Sequence, residues 1–222
     1  METKENLGDS NIGQFKWKNK IWNVLGDSIT AGYMTTKTYH QYIQENITIG
    51  VVNNYGIPGA EICTSGVFPN PFVGRYMNMD KKADVITVFG GVNDYRHNAT
   101  LGTMDSRDHS TFYGALHTIC KGLYDLYPNS KYGFFTPLRF YDNKFLHGEL
   151  GNAKSHKFID YVNAIKEVCD YYEVPVLDLY DIVRLTSYET SVRVQLIPDG
   201  LHPNEEAHEI ISAKVQLFLE SL

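Results

Sequence analysis

Short apolar runs alternate with segments of helical period along nearly the whole chain. Ile21–Leu25 (IWNVL) is a largely apolar run that stops at Gly26, which predicts a strand. Tyr39 to about Asn46 reads as a helix, and a second strand, Gly50–Asn53, leads into a glycine-rich loop, Tyr55–Gly66. Asp84–Phe89 (DVITVF) is the best candidate for a central strand, since it is β-branched, uninterrupted and closed by Gly90 and Gly91. Ser110–Tyr127 reads as a helix with Phe112, Leu116, Ile119, Leu123 and Leu126 near one face. Tyr132–Phe135 is a fourth strand, stopped by Pro137, and Leu138 to about Ala153 is a polar, aromatic-rich stretch too long for a simple connection. A helix over Lys157–Tyr172 then leads to a strand, Pro175–Leu179. The final helix runs from about Glu205 to Leu219, with Asn204 as N-cap and two glutamates at its positive end.

Strands alternating with helices imply an α/β domain whose central parallel sheet is covered on both faces. In such sheets ligands bind beyond the carboxyl ends of the strands, so chemistry is expected just after each strand. No repeat, low-complexity tract or linker divides the chain. The expected organisation is an N-terminal extension, 1–19, and a single domain, 20–222.

Composition narrows the function classes. The chain has 222 residues, enough to bury a large core without disulfide or metal staples. Its 20 basic and 26 acidic residues leave a net charge of −6, which argues against nucleic acid or anionic membrane as partner. No apolar run approaches the roughly 20 residues of a membrane span. The first twenty residues are polar and lack the apolar core of a secretory signal, so a cytoplasmic location is the default expectation. Cys63, Cys120 and Cys169 are far apart and form no CxxC pair, which predicts buried thiols rather than a metal cage or disulfide framework. No phosphate-loop, dinucleotide or HExxH zinc motif occurs, so neither a metal nor a cofactor is expected.

Four short segments fall where chemistry is expected. After the first strand comes Gly26-Asp27-Ser28-Ile29-Thr30-Ala31-Gly32, in which a serine on the turn can expose its hydroxyl at the sheet edge. Gly8-Asp9-Ser10 repeats the tripeptide in a polar tail with no strand before it, so Ser10 is expected to be inert. Asn54-Tyr55-Gly56-Ile57-Pro58-Gly59 follows the second strand, and its glycines permit a tight loop with outward N–H groups. Gly91-Val92-Asn93-Asp94 follows the third, where a side-chain amide can donate to an oxyanion. Asp199-Gly200-Leu201-His202-Pro203-Asn204 precedes the last helix, and Asp199 can orient His202 as a base toward a serine. Each segment alone also reads as an ordinary turn or cap. Among the other histidines, His97 lies close enough to Asn93 to line the cleft, but neither it nor His208 has a carboxylate at comparable spacing.

In this order the four segments resemble the blocks of the SGNH hydrolases, the GDSL esterase/lipase superfamily. The resemblance runs from about Ile21 to the C-terminus. It implies a flavodoxin-like three-layer α/β/α sandwich and a serine esterase with Ser28 as nucleophile, His202 as base and Asp199 as its partner. It further implies an oxyanion hole from the Ser28 N–H, the Gly59 N–H and the Asn93 side chain.

The substrate is expected to be a small-molecule or carbohydrate ester carrying a small acyl group such as acetyl. Phe140 and Tyr141, with Phe145 and His147, place aromatic faces among Arg139, Asp142, Asn143 and Glu149, a mixture that suits a sugar ring. Tyr33 and Tyr95, each just beyond a block, are expected to add a wall to the same cleft. The same residues also suit an acyltransferase, a lysophospholipase or a thioesterase, and the fold without turnover suits a carbohydrate-binding module. Oligomeric state is not legible in the chain.

Overall fold

The computed structural model describes residues 16–141, 151–181, 185 and 190–222. Five strands, β1 (Ile21–Gly26), β2 (Val51–Gly56), β3 (Val85–Phe89), β4 (Lys131–Phe135) and β5 (Val176–Leu177), form one sheet in the order β2-β1-β3-β4-β5. Every pairing is parallel, and Trp22 stands between Val52 and Val85. This is the strand order of flavodoxin-like sheets, in which β1 flanked by β2 and β3 marks the point where the crossovers change direction.

Alternation along the strands sorts side chains into two layers. Trp22, Val24, Val85, Phe89 and Phe135 point to one face. There they meet α2 (Tyr39–Asn46) and α8 (Glu205–Ser221) through Ile43, Ile211, Val215 and Leu219. Leu25, Ile86, Val88 and Phe134 point to the other face, against α3 (Phe72–Arg75), α5 (Phe112–Leu126) and α6 (Phe158–Tyr171). All five residues of β3 are buried, as a strand covered on both faces requires. The expected α/β fold with its central parallel sheet is therefore present.

Differences are local. Leu126, expected on the buried face of its helix, is exposed, because Tyr127, the residue after it, takes the next buried position beyond Leu123. β5 keeps two of the five residues expected of it, since it pairs with β4 on one side only. Three short helices had no sequence signal: α3, α4 (Val92–Arg96) and α7 (Thr190–Leu196). α1 (Ser28–Ala31) is likewise a single turn. Trp17 is buried in the core and Lys18 bridges to Ile49, so the end of the expected extension packs on the sheet domain. The three cysteines are free and buried, as expected. Among the described residues, no helix is long and apolar enough to cross a membrane.

Candidate active site

The carboxyl ends of β1, β2 and β3 carry the first three segments, and the turn before α8 brings the fourth to them. β1 ends at Gly26, where an added Cβ would strike the Thr30 side chain at 2.0 Å, so only glycine lets α1 fold back this tightly. Asp27 caps α1 by accepting from the Ile29 N–H at 3.0 Å. Ser28 is then the first helical residue, a position where the backbone N–H has no acceptor within the helix.

Arg75 of α3 fastens this turn from below. Its Nη2 donates to the Gly26 carbonyl at 2.7 Å, Nη1 to the Tyr55 carbonyl and Nε to the Asn70 carbonyl at 3.0 Å. Burial pushes the Asp27 carboxyl up to about 7, with Asp94 adding to the rise while the Ile29 N–H and Arg75 oppose it. Burial likewise lowers the Arg75 guanidinium to about 10, partly offset by Asp27.

The loop after β2 is tied down at several points. Asn54 Nδ2 donates to the Thr30 carbonyl at 3.0 Å, and its Oδ1 accepts from the Gly56 N–H at 2.8 Å. Gly59 has φ of +77°, a left-handed conformation that favours glycine, inside a turn closed by the Ala60 N–H on the Ile57 carbonyl. Asp94 accepts from the Ile62 and Cys63 N–H groups at 2.9–3.1 Å. Burial pushes its carboxyl up to about 6 against those bonds. Asn93, also buried, donates from Nδ2 to the Ala60 carbonyl at 3.0 Å. A primary amide has two N–H bonds, so one hydrogen holds the loop and the second is free for another acceptor.

The last segment completes the constellation. Gly200, at φ +82°, turns the chain so that Asp199 Oδ1 accepts from the Leu201 and His202 N–H groups at 2.9 and 2.7 Å. Asp199 Oδ2 lies 2.6 Å from His202 Nδ1, and His202 Nε2 lies 2.9 Å from Ser28 Oγ. Partial burial raises the Asp199 carboxyl, but the bonds from the His202 side chain and the two backbone N–H groups outweigh it and hold it below the usual range. A hydroxyl against an imidazole whose far nitrogen is held by an ionised carboxylate can pass its proton to the ring as it attacks a carbonyl. Asn204 caps α8, accepting from the Ala207 N–H at 3.0 Å.

The GDSL-like Lipase/Acylhydrolase family model matches residues 24–210. The chain belongs to this family of serine hydrolases. A solved structure of a protein from Lactobacillus plantarum is 32% identical, covers 92% of this chain and 98% of its own, and superposes with a TM-score of 0.83. The lipase/acylhydrolase from Enterococcus faecalis (22% identity, 91% and 96% covered, TM-score 0.62) shares the fold. So does the acetyl xylan esterase AlAXEase (20%, 90% and 99%, TM-score 0.64). No curated protein matches the chain in sequence.

Not every residue expected at the substrate cleft of this GDSL-family hydrolase is there. Tyr95 and Phe140 are corrected: both are buried, packed on each other at 5.8 Å between ring centroids and on Phe158 at 5.2 and 5.1 Å. α4 turns Tyr95 inward, and the chain after β4 drops Phe140 into the same core. Tyr33 is 52% exposed with its ring 4.6 Å from that of His202, beside the hydroxyl–imidazole pair. Tyr141 is half-buried, its N–H donating to the Gly200 carbonyl at 2.5 Å and its ring under the Arg193 guanidinium at 3.9 Å. Phe145, His147, Asp142, Asn143, Glu149 and Ser10 lie outside the described residues. His97, which has no carboxylate at the spacing of Asp199 and His202, meets one distant in sequence, Glu61, 2.8 Å away and 36 residues earlier. Among the described residues no group of three or more His, Cys, Asp or Glu side chains is placed to hold a metal ion.

Proposed function

We propose that this hydrolase is an esterase that removes small acyl groups, acetyl or similar, from a polar and carbohydrate-like alcohol. The observation that carries the reading is the continuous relay from Ser28 Oγ to His202 Nε2 at 2.9 Å and from His202 Nδ1 to Asp199 Oδ2 at 2.6 Å. Ser28 attacks the acyl carbonyl while His202 takes its proton. The tetrahedral oxyanion is held by the Ser28 N–H, the Gly59 N–H and the Asn93 hydrogen that Ala60 leaves free. Collapse expels the alcohol, which receives the proton from His202. A water then gives a proton to His202 as it attacks the acyl-enzyme, and His202 passes that proton to the departing Ser28 Oγ, releasing the acid and restoring the serine hydroxyl.

Support for the substrate class comes from Tyr33, an exposed aromatic face beside His202, and from the acetyl xylan esterase that shares the fold. The net charge of −6 gives no attraction to an anionic lipid surface. Ser28→Ala assayed on 4-nitrophenyl acetate tests the chemistry, and turnover should fall to background with loss of fluorophosphonate labelling. Undiminished turnover overturns it. A series from acetyl to octanoyl on one alcohol tests the pocket, with kcat/KM expected to peak at two to four carbons; a steady climb to octanoyl means a lipid pocket instead.

A further inference from the structure

A second histidine bound to a carboxyl group lies beside the site and takes no part in the steps above. His97 follows α4, one turn beyond Asn93, with its N–H on the Asn93 carbonyl at 2.8 Å. Its Nδ1 is 2.8 Å from Oε1 of Glu61, which is 1% exposed and accepts from the Ser65 hydroxyl with its other oxygen. Phe68 stacks on the imidazole with centroids 4.5 Å apart and planes 22° apart. The same Phe68 ring lies against Gly59, where an added Cβ would come within 3.0 Å of two ring carbons. Gly59, Phe68 and His97 therefore form one continuous wall that starts at the proposed oxyanion hole.

This wall has a chemistry of its own. Glu61 is committed to His97 Nδ1 and Phe68 covers a face of the ring. The remaining polar atom, Nε2, makes no hydrogen bond among the described residues. The side chain keeps 19% of its surface open. Burying a carboxyl group to orient a part-open imidazole is costly in desolvation, and an apolar pair would fill the space more cheaply. Phe68, 41% exposed, leaves an aromatic face open next to that polar edge.

We propose that Glu61 and His97 form a recognition pair, with His97 Nε2 bonding an oxygen of the substrate's alcohol beside the scissile ester and Phe68 packing on the carbons of the same group. Glu61 is the positioning residue and His97 the group that touches substrate. The substrate class is an ester whose alcohol carries another hydroxyl close to the ester oxygen, as in a partly acylated sugar or polyol. A ring with an apolar face and hydroxyl edges meets Phe68 with the one and His97 with the other. The inference rests on the esterase reading of Ser28.

Two acetates with the same three-carbon alcohol skeleton test it: 2,3-dihydroxypropyl acetate and propyl acetate. The quantity read is the ratio of kcat/KM for the hydroxylated ester over the plain one. His97→Ala should lower that ratio about tenfold, the scale of one hydrogen bond. A ratio within twofold of wild type overturns the proposal, whatever the absolute rates. Should His97→Ala show no cooperative thermal unfolding, His97→Phe decides instead, since it keeps a ring against Phe68 while removing Nε2; a fall in the ratio of about tenfold supports the pair and an unchanged ratio overturns it. Ser28→Ala separates the two readings. If it leaves either ester turning over, the esterase assignment fails; if it silences both while the ratio is unmoved by the wall variants, only the recognition pair fails.

Discussion

Arg75 donates to the carbonyl oxygen of Gly26 at 2.7 Å, joining α3 on one face of the sheet to the end of β1 just before Ser28. A second bond to the Tyr55 carbonyl makes the same side chain bridge the ends of β1 and β2. Replacing it by leucine removes both of these bonds, although the Gly26 carbonyl keeps the Ile57 N–H at 3.1 Å, and takes away the positive charge facing buried Asp27. Arg75→Leu should cost ~3 kcal/mol, the sum expected for two lost hydrogen bonds from a charged donor. Chemical denaturation checks the stability, and kcat on a short-chain ester should fall with it. An unshifted denaturation midpoint would show that the bridge contributes nothing.

Asn93 is expected to act with the amide hydrogen that Ala60 leaves free. Asn93→Ala should reduce kcat by about 10²–10³, the scale of a single oxyanion donor, with KM changed far less. A loss under threefold, measured at saturating 4-nitrophenyl acetate, would make Asn93 a loop fastener alone.

Asp199 fixes the His202 tautomer through Oδ2 and the turn itself through Oδ1. In Asp199→Asn the amide can preserve the turn by accepting from the two backbone N–H groups, but it offers no carboxylate to the ring. The expected loss in kcat is on the order of 10²–10⁴ with the melting temperature nearly unchanged. Equal losses of rate and stability would mean that its role is only structural.

The paired interior histidines predict how stability responds to acid. His208 accepts from the Tyr39 N–H at 3.2 Å, and His40 meets the Thr30 carbonyl at 3.1 Å. Burial lowers His208 to about 3, with His40 adding to the effect, and lowers His40 to about 4. Below the ordinary value of 6.5 the unfolded chain takes up protons that the folded chain refuses, so these two groups make stability fall as pH falls. Buried Asp27 and Asp94 act in the opposite sense, because the folded state holds their protons to higher pH than the unfolded chain does. The comparison is therefore variant against wild type. His208→Gln should spare about 2 kcal/mol of the loss between pH 6.5 and pH 5, one proton over 1.5 pH units. Parallel denaturation profiles for the two proteins would refute it.

Much of this site is legible in the chain because its parts are local. A strand, a glycine and a serine lie within a dozen residues, and Asp199 and His202 share one turn. β3 is recognisable from five consecutive apolar or β-branched residues. What is hidden depends on partners distant in sequence. Glu61 meets His97 across 36 residues and Arg75 meets Gly26 across 49, so neither spacing suggests a pair. Tyr95 and Phe140 show the converse limit. An aromatic beside a motif reads the same whether its helix turns it toward the cleft or the core, and only the packing of Phe158 between them decides.

The contact between Ser28 and His202 spans 174 residues, and every strand of the sheet lies between β1 and α8. A polypeptide that ends after β5 contains all five strands, yet it lacks both Asp199 and His202. Assembly of the sheet and acquisition of activity are thus expected to be separable in time. Distant contacts of this kind form late, after the entropy of closing the intervening chain has been met. Recovery of ester hydrolysis during refolding should lag behind the return of secondary structure, which makes turnover a clock for completion of the C-terminal closure.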